Sequence, residues 1–227
     1  MVRLELHCVR FIRVGFLVLL SKSLQTWDVQ SGYLLKETVL PSDYSSIHVD
    51  KSNNDVYLLG SDVISQIAGE QLGWSTSFNK ILKPKAYAIN ERVYVIGKND
   101  KGNLIRVEID AKSHKVISET QVVESAANFF ILGGQKPRII ALAATNEAVA
   151  VDLSDLSKKS LGKASSIKRL CGHQFLLGDD LVSFDEPTVE FKKGKRVDSE
   201  STSFVYSASN LDHLVSFKAS KVRVLIY

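Results

Sequence analysis

Cysteine, proline and methionine are scarce. The 227-residue chain has two cysteines, four prolines and one methionine. Cys8 and Cys171 are too few for a disulfide-dense scaffold or a four-cysteine zinc site. The apolar run that ends at Leu20 holds about seven residues, far below the about 20 that a membrane-crossing helix needs. No Asn-x-Ser/Thr sequon occurs. The formal net charge of +4 is small and scattered, which gives no electrostatic footprint for nucleic acid. Stripes of 3.6-residue period are also missing, which argues against helical solenoids. What is present is a chain 44% hydrophobic and 24% charged, enough to bury a core in one large domain or two small ones.

The apolar residues come in short runs. They begin at residues 17, 56, 93, 139, 175 and 214, a period near 40. Leu17–Leu20, Val56–Leu59, Val93–Ile96, Ile139–Leu142, Phe175–Leu177 and Leu214–Phe217 are apolar at nearly every position, as expected of strands covered on both faces. Most are followed by a turn and a second, more alternating strand, such as Val63–Ala68. Several strands in a unit of this length are the signature of a β-propeller, whose blades bury a face only against their neighbours. The expected fold is therefore an all-β propeller arc of about five to six blades, a single domain over 1–227 with 1–13 as an irregular N-terminal segment. Only Ser118–Asn128 admits a helix, and a strand running into a connecting loop is preferred there. Arg10–Leu20 reads first as a buried strand and second as a signal or anchor, since no Ala-x-Ala-like cleavage site follows it.

Few residues suggest chemistry. Cys171-Gly-His173 lacks the remaining ligands of a zinc site. Gly133-Gly134-Gln135-Lys136 lacks the spacing of a phosphate cradle. Asp152 with Asp155, and Asp179 with Asp180, fall where strands turn, positions at which aspartate caps backbone. Lys192-Lys193-Gly194-Lys195-Arg196 is the one basic cluster of its size and reads as a solvated hairpin with Gly194 near its turn. Trp27 and Trp74 are expected to wedge adjacent blades. No catalytic, cofactor-binding or metal-binding residue is assigned.

Val18–Glu37, Val56–Ile64, Gly69–Ser75, Val93–Ile96 and Leu104–Ile117 follow one another in an order that resembles the pyrroloquinoline-quinone-like propellers. Within that group the order is similar to the N-terminal lumenal propeller of the family of the largest subunit, subunit 1, of the endoplasmic reticulum membrane protein complex. The resemblance spans about residues 14 to 185. It implies a non-catalytic lumenal scaffold that supports insertion and folding of transmembrane proteins, with other subunits of that complex as partners. It implies neither a quinone cofactor nor nucleic acid. It also implies a fragment of a longer polypeptide, with membrane association through a C-terminal part. Two other readings stand beside it: an unrelated cytosolic or nuclear interaction propeller, and a propeller enzyme.

Overall fold

The computed structural model describes residues 6–12, 15–20, 22–28, 30–49, 55–68, 71–134, 136–169, 174–184, 191–196, 203–206, 213–218 and 221–226. Among them the regular structure is entirely β, in six antiparallel sheets whose strands pair in chain order. The first sheet holds β1 (Leu6–Ile12), β2 (Gly15–Leu20), β3 (Ser23–Asp28) and β4 (Leu34–Val39). The second holds β5 (Ser46–Val49), β6 (Val56–Leu59), β7 (Val63–Ala68) and β8 (Gln71–Ser77). The third holds β9 (Leu82–Ile89), β10 (Arg92–Lys98), β11 (Leu104–Asp110) and β12 (Val116–Val123). The fourth holds β13 (Ala126–Leu132), β14 (Arg138–Ala143), β15 (Glu147–Asp152) and β16 (Lys158–Lys163). The fifth holds β17 (Ile167–Arg169), β18 (Gln174–Leu177), β19 (Asp180–Phe184) and β20 (Phe191–Arg196). The sixth has three strands, β21 (Ser203–Tyr206), β22 (His213–Lys218) and β23 (Lys221–Ile226). The chain divides into two compact units, Met1–Ser125 and Ala126–Tyr227.

Each apolar run occupies the second strand of its sheet. In β6, Val56 and Leu58 turn to one face and join Leu17, Leu19 and Leu24 of the first sheet. Tyr57 and Leu59 turn to the other face and join Val93, Val95, Val107 and Ile109 of the third. Side-chain alternation with apolar residues on both sides thus seals one strand between two sheets. In the second unit Ile140, Leu142, Ala148 and Ala150 of the fourth sheet meet Ile167, Phe175, Leu177 and Val182 of the fifth. A buried hydroxyl chain joins the core of the first unit: Ser65 Oγ lies 2.6 Å from both Tyr44 Oη and Ser75 Oγ. Ser65 is thereby buried without an unmet polar group.

Several expectations are corrected. The segment 1–13 holds a strand, β1, because it pairs along its length with β2. The stretch 118–128 is a strand running into a connection, as preferred, but the connection is only the turn Glu124-Ser125 and β13 starts at once at Ala126. Gly194 does not sit at a hairpin turn. It lies inside β20, where the register with β19 shifts between Asp180 and Val182 and an extra residue is absorbed.

Candidate interaction surfaces

The turn aspartates belong to a repeated device. Asp28, Asp110 and Asp152 end the third strands β3, β11 and β15. Asp28 Oδ1 accepts the amides of Gln30 at 2.9 Å and Ser31 at 2.6 Å. Asp110 Oδ1 accepts those of Lys112 at 3.0 Å and Ser113 at 2.7 Å. Asp152 Oδ1 accepts the Ser154 amide at 2.8 Å. Four residues after each aspartate the backbone becomes left-handed, at Gly32 (φ 68°), His114 (φ 58°) and Leu156 (φ 62°). Aspartate was expected to cap backbone where strands turn, and it does so in all three turns. The structure gives aspartate the capping role and leaves the left-handed step to the residue whose amide returns to the aspartate carbonyl. Only at Gly32 is that step free of a Cβ penalty.

This kind of bonding lowers Asp28, Asp110 and Asp155 below the ordinary carboxylate value. The Ser113 amide, followed by the Lys112 amide and the Arg92 guanidinium, holds Asp110 down at about 2. The Ser31 amide lowers Asp28, and Ser157 lowers Asp155. A general acid needs the opposite shift. Asp152 is buried and Asp155 is exposed in the same turn; the two are spent on Ser154 and Ser157. Asp179 lies in the β18–β19 turn and Asp180 opens β19. The glycine pair 133–134 follows β13, as a loop between strands. Cys171 and His173 lie outside the described residues. Among the described residues no group of three or more His, Cys, Asp or Glu side chains is placed to hold a metal.

The two tryptophans differ. Trp74, on β8, packs against the cluster between the second and third sheets and stacks on His114 with ring centroids 4.8 Å apart and planes 11° apart. It performs the wedge role. Trp27 does not. It lies half-buried on the face of β3 opposite Leu24, and its Nε1 donates to Gln25 Oε1 at 3.1 Å. Gln25 Nε2 and Ser23 Oγ then donate to Glu37 Oε1, at 3.2 and 2.7 Å. A two-residue alternation from Leu24 places Trp27 with these polar partners and away from the interface with the second sheet.

An ionic row on the third sheet was missed by sequence reasoning. Arg106 is 5% exposed, lies over the Tyr94 ring at 5.4 Å and donates to Glu108 Oε2 at 3.0 Å. Arg92 pairs with Glu108 and Asp110. Arg92-x-Tyr94 and Arg106-x-Glu108-x-Asp110 show the period of two that would have placed these residues on one face. In the same unit a shallow cleft of about 230 Å³ is lined by Asn79, Lys80, Ile81, Asn99, Glu119 and Gln121, among others. Two of its residues engage each other: Glu119 accepts both the amide and the side chain of Asn79. Extended surfaces are more prominent than clefts. Tyr33 (73% exposed), Leu34, Leu35 and Val39 (79% exposed) show apolar area along and just before β4. Lys158, Lys159 and Lys163 are exposed on β16.

No family model matches the sequence, and no curated protein does. Solved structures do resemble the fold. The complex of the fission yeast SREBP–SCAP binding domains superposes with a TM-score of 0.64 at 12% identity, covering 95% of this chain and 70% of that one. The Pan2 WD40 domain of Neurospora crassa gives 0.58 at 11% identity, covering 93% and 71%. BamB from Moraxella catarrhalis gives 0.56 at 14% identity, covering 94% and 68%. These likenesses, with six antiparallel sheets in sequence order, define the fold class as a β-propeller.

Proposed function

We propose that this chain is a non-catalytic scaffold on the lumenal side of the endoplasmic reticulum membrane, docking other subunits of the membrane protein complex that inserts and folds transmembrane proteins. The observation that carries the reading is the order of the blade motifs. Trp27-Asp28 closes a third strand, Val56–Leu59 fills a second strand, Trp74 lies on a fourth, and Leu104–Asp110 with Val116–Val123 form the third and fourth strands of the next sheet. The coarser part of the proposal, a β-propeller that binds proteins, is supported by the likeness to the SREBP–SCAP binding domains. Exposed outer strands and a shallow cleft suit docking better than catalysis. Among the described residues no helix is long and apolar enough to cross a membrane.

A second reading, an unrelated cytosolic or nuclear interaction propeller, is favoured by the WD40 likeness and by the Trp27-Asp28 turn. Affinity capture from detergent-solubilised microsomes separates the two. Recovery of the other complex subunits is expected; recovery of cytosolic partners alone would overturn the lumenal assignment.

A further inference from the structure

The shallow cleft of the first unit has its acceptors engaged and its donors unused. It lies among the β8–β9 connection, the β10–β11 loop and the face of β12 that carries Glu119 and Gln121. Ile105 stands opposite Gln121 in the sheet, and with Ile81 it gives the cleft an apolar wall. Asn99 Oδ1 accepts the amides of Lys101 at 3.1 Å and Asn103 at 2.9 Å. A backbone amide only donates, so the oxygen of Asn99 faces the loop and its NH2 group does not. Asn103 Oδ1 accepts the Ser125 amide at 3.0 Å, which leaves Asn103 Nδ2 to donate to Gln121 Oε1 at 2.9 Å. The Gln121 oxygen is thereby taken, and its NH2 group is the unused end. Glu119 accepts the Asn79 amide on one oxygen at 3.1 Å and the Asn79 side chain on the other. Among the described residues neither the Asn99 nor the Gln121 NH2 group has a hydrogen-bond partner, and the exposed Lys80 ammonium is in no ion pair.

We propose that this cleft is a docking point for one carboxylate side chain, aspartate or glutamate, of a partner protein. The unused groups of Lys80, Asn99 and Gln121 are all donors, so an occupant must bring acceptors. A carboxylate brings two oxygens, and its single negative charge matches the one cation of the lining that has no ion pair. A phosphate is less suited, because Glu119 already places a negative charge in the wall and Lys80 alone among the lining residues opposes a dianion. At about 230 Å³ the cleft is smaller than the roughly 300 Å³ at which pockets begin to enclose a whole small molecule. That size suits a side chain presented from a larger partner. The isoleucine wall suits the methylenes of the incoming side chain. The surrounding field agrees: at the same end of the sheet, burial and then the charge of Lys83 hold Lys98 below the ordinary lysine value. The inference rests on the protein-docking part of the proposed function and not on the compartment.

The test is an NMR titration of the full chain that follows the side-chain amide signals of Asn99 and Gln121. The probes are a blocked alanine-glutamate-alanine peptide, its glutamine and phosphoserine counterparts, and free glutarate. The glutamate peptide is expected to shift both signals, to weaken as salt rises, and to bind about threefold more weakly after Lys80→Met. Asn99→Asp and Gln121→Glu keep the oxygen that holds the loop and turn the unused donor into an acceptor. Each is expected to abolish binding, read on the other residue's amide signal. The backbone spectrum verifies folding; if either variant unfolds, Lys80→Met at its exposed position decides. Equal shifts with the glutamine peptide, tighter binding of the phosphoserine peptide or of glutarate, wild-type binding by the folded variants, or signals that do not move would overturn the proposal. Capture of the complex subunits from microsomes by a chain whose amide signals do not respond would sink the cleft and leave the scaffold reading standing. Response without capture would do the reverse.

Discussion

β4 and β16 hold the same place in their sheets, each the fourth strand with one open edge, and they treat that edge in opposite ways. β4 leaves Leu35 and Val39 exposed and turns the Glu37 carboxylate toward Ser23 and Gln25. β16 shows lysines and little apolar surface. An unguarded apolar edge invites pairing or docking, whereas a charged one excludes strands and attracts opposite charge. The second strands show no such divergence: β2, β6, β10, β14 and β18 are apolar inside, with charged or polar residues only at the ends of β10, β14 and β18. Interior positions are constrained by packing, and outer positions are free to specialise.

The largest effect that can challenge this contrast comes from the interior. Phe175→Ala should destabilise the fold by about 3–5 kcal/mol, because the ring is fully buried between the fourth and fifth sheets. An unchanged melting curve would mean that those sheets do not share a core. Trp74→Ala should cost about 2 kcal/mol and Trp27→Ala about 1, both below a fully buried aromatic. Thermal melts that reverse this order would make Trp27 the stronger packing residue of the two.

Acid titration sharpens the turn assignment. Asp110 has its folded value depressed to about 2, so its stabilising effect is present above the ordinary carboxylate value and is lost as pH falls from there through about 2. Asp110→Asn should flatten the acid limb of stability between about pH 4 and 2. An unaltered limb would show that the cap does not act through ionisation. The smallest effect concerns the β4 edge. Leu35→Lys with Val39→Lys should change stability by no more than about 0.5 kcal/mol while reducing self-association in light scattering. Unchanged self-association would show that this edge is not adhesive.

Much of this architecture was legible because β2, β6, β10, β14 and β18 must be apolar on both faces, which marks them at a regular interval. Their leading partners were not. β5 is four residues long, β9 contains Pro84 between Lys83 and Lys85, and β17 is Ile-Lys-Arg, so none carries an apolar run that stands out. Pairing with the second strand supplies the order that their own sequence does not signal. The surfaces were harder to see. The lysines of β16 are ordinary in sequence and are placed on an outer strand only by the order of the fourth sheet. The ionic row of Arg92, Arg106 and Glu108 needed the register between β10 and β11.

Amide hydrogen exchange resolved strand by strand tests the central claim most directly, that sealed inner strands carry the fold and open outer strands carry its contacts. The account expects β6, β10 and β14 to retain protons longest and β4 and β16 to exchange first within their sheets. Outer strands protected as strongly as β6 and β10, or second strands that exchange at once, would contradict it.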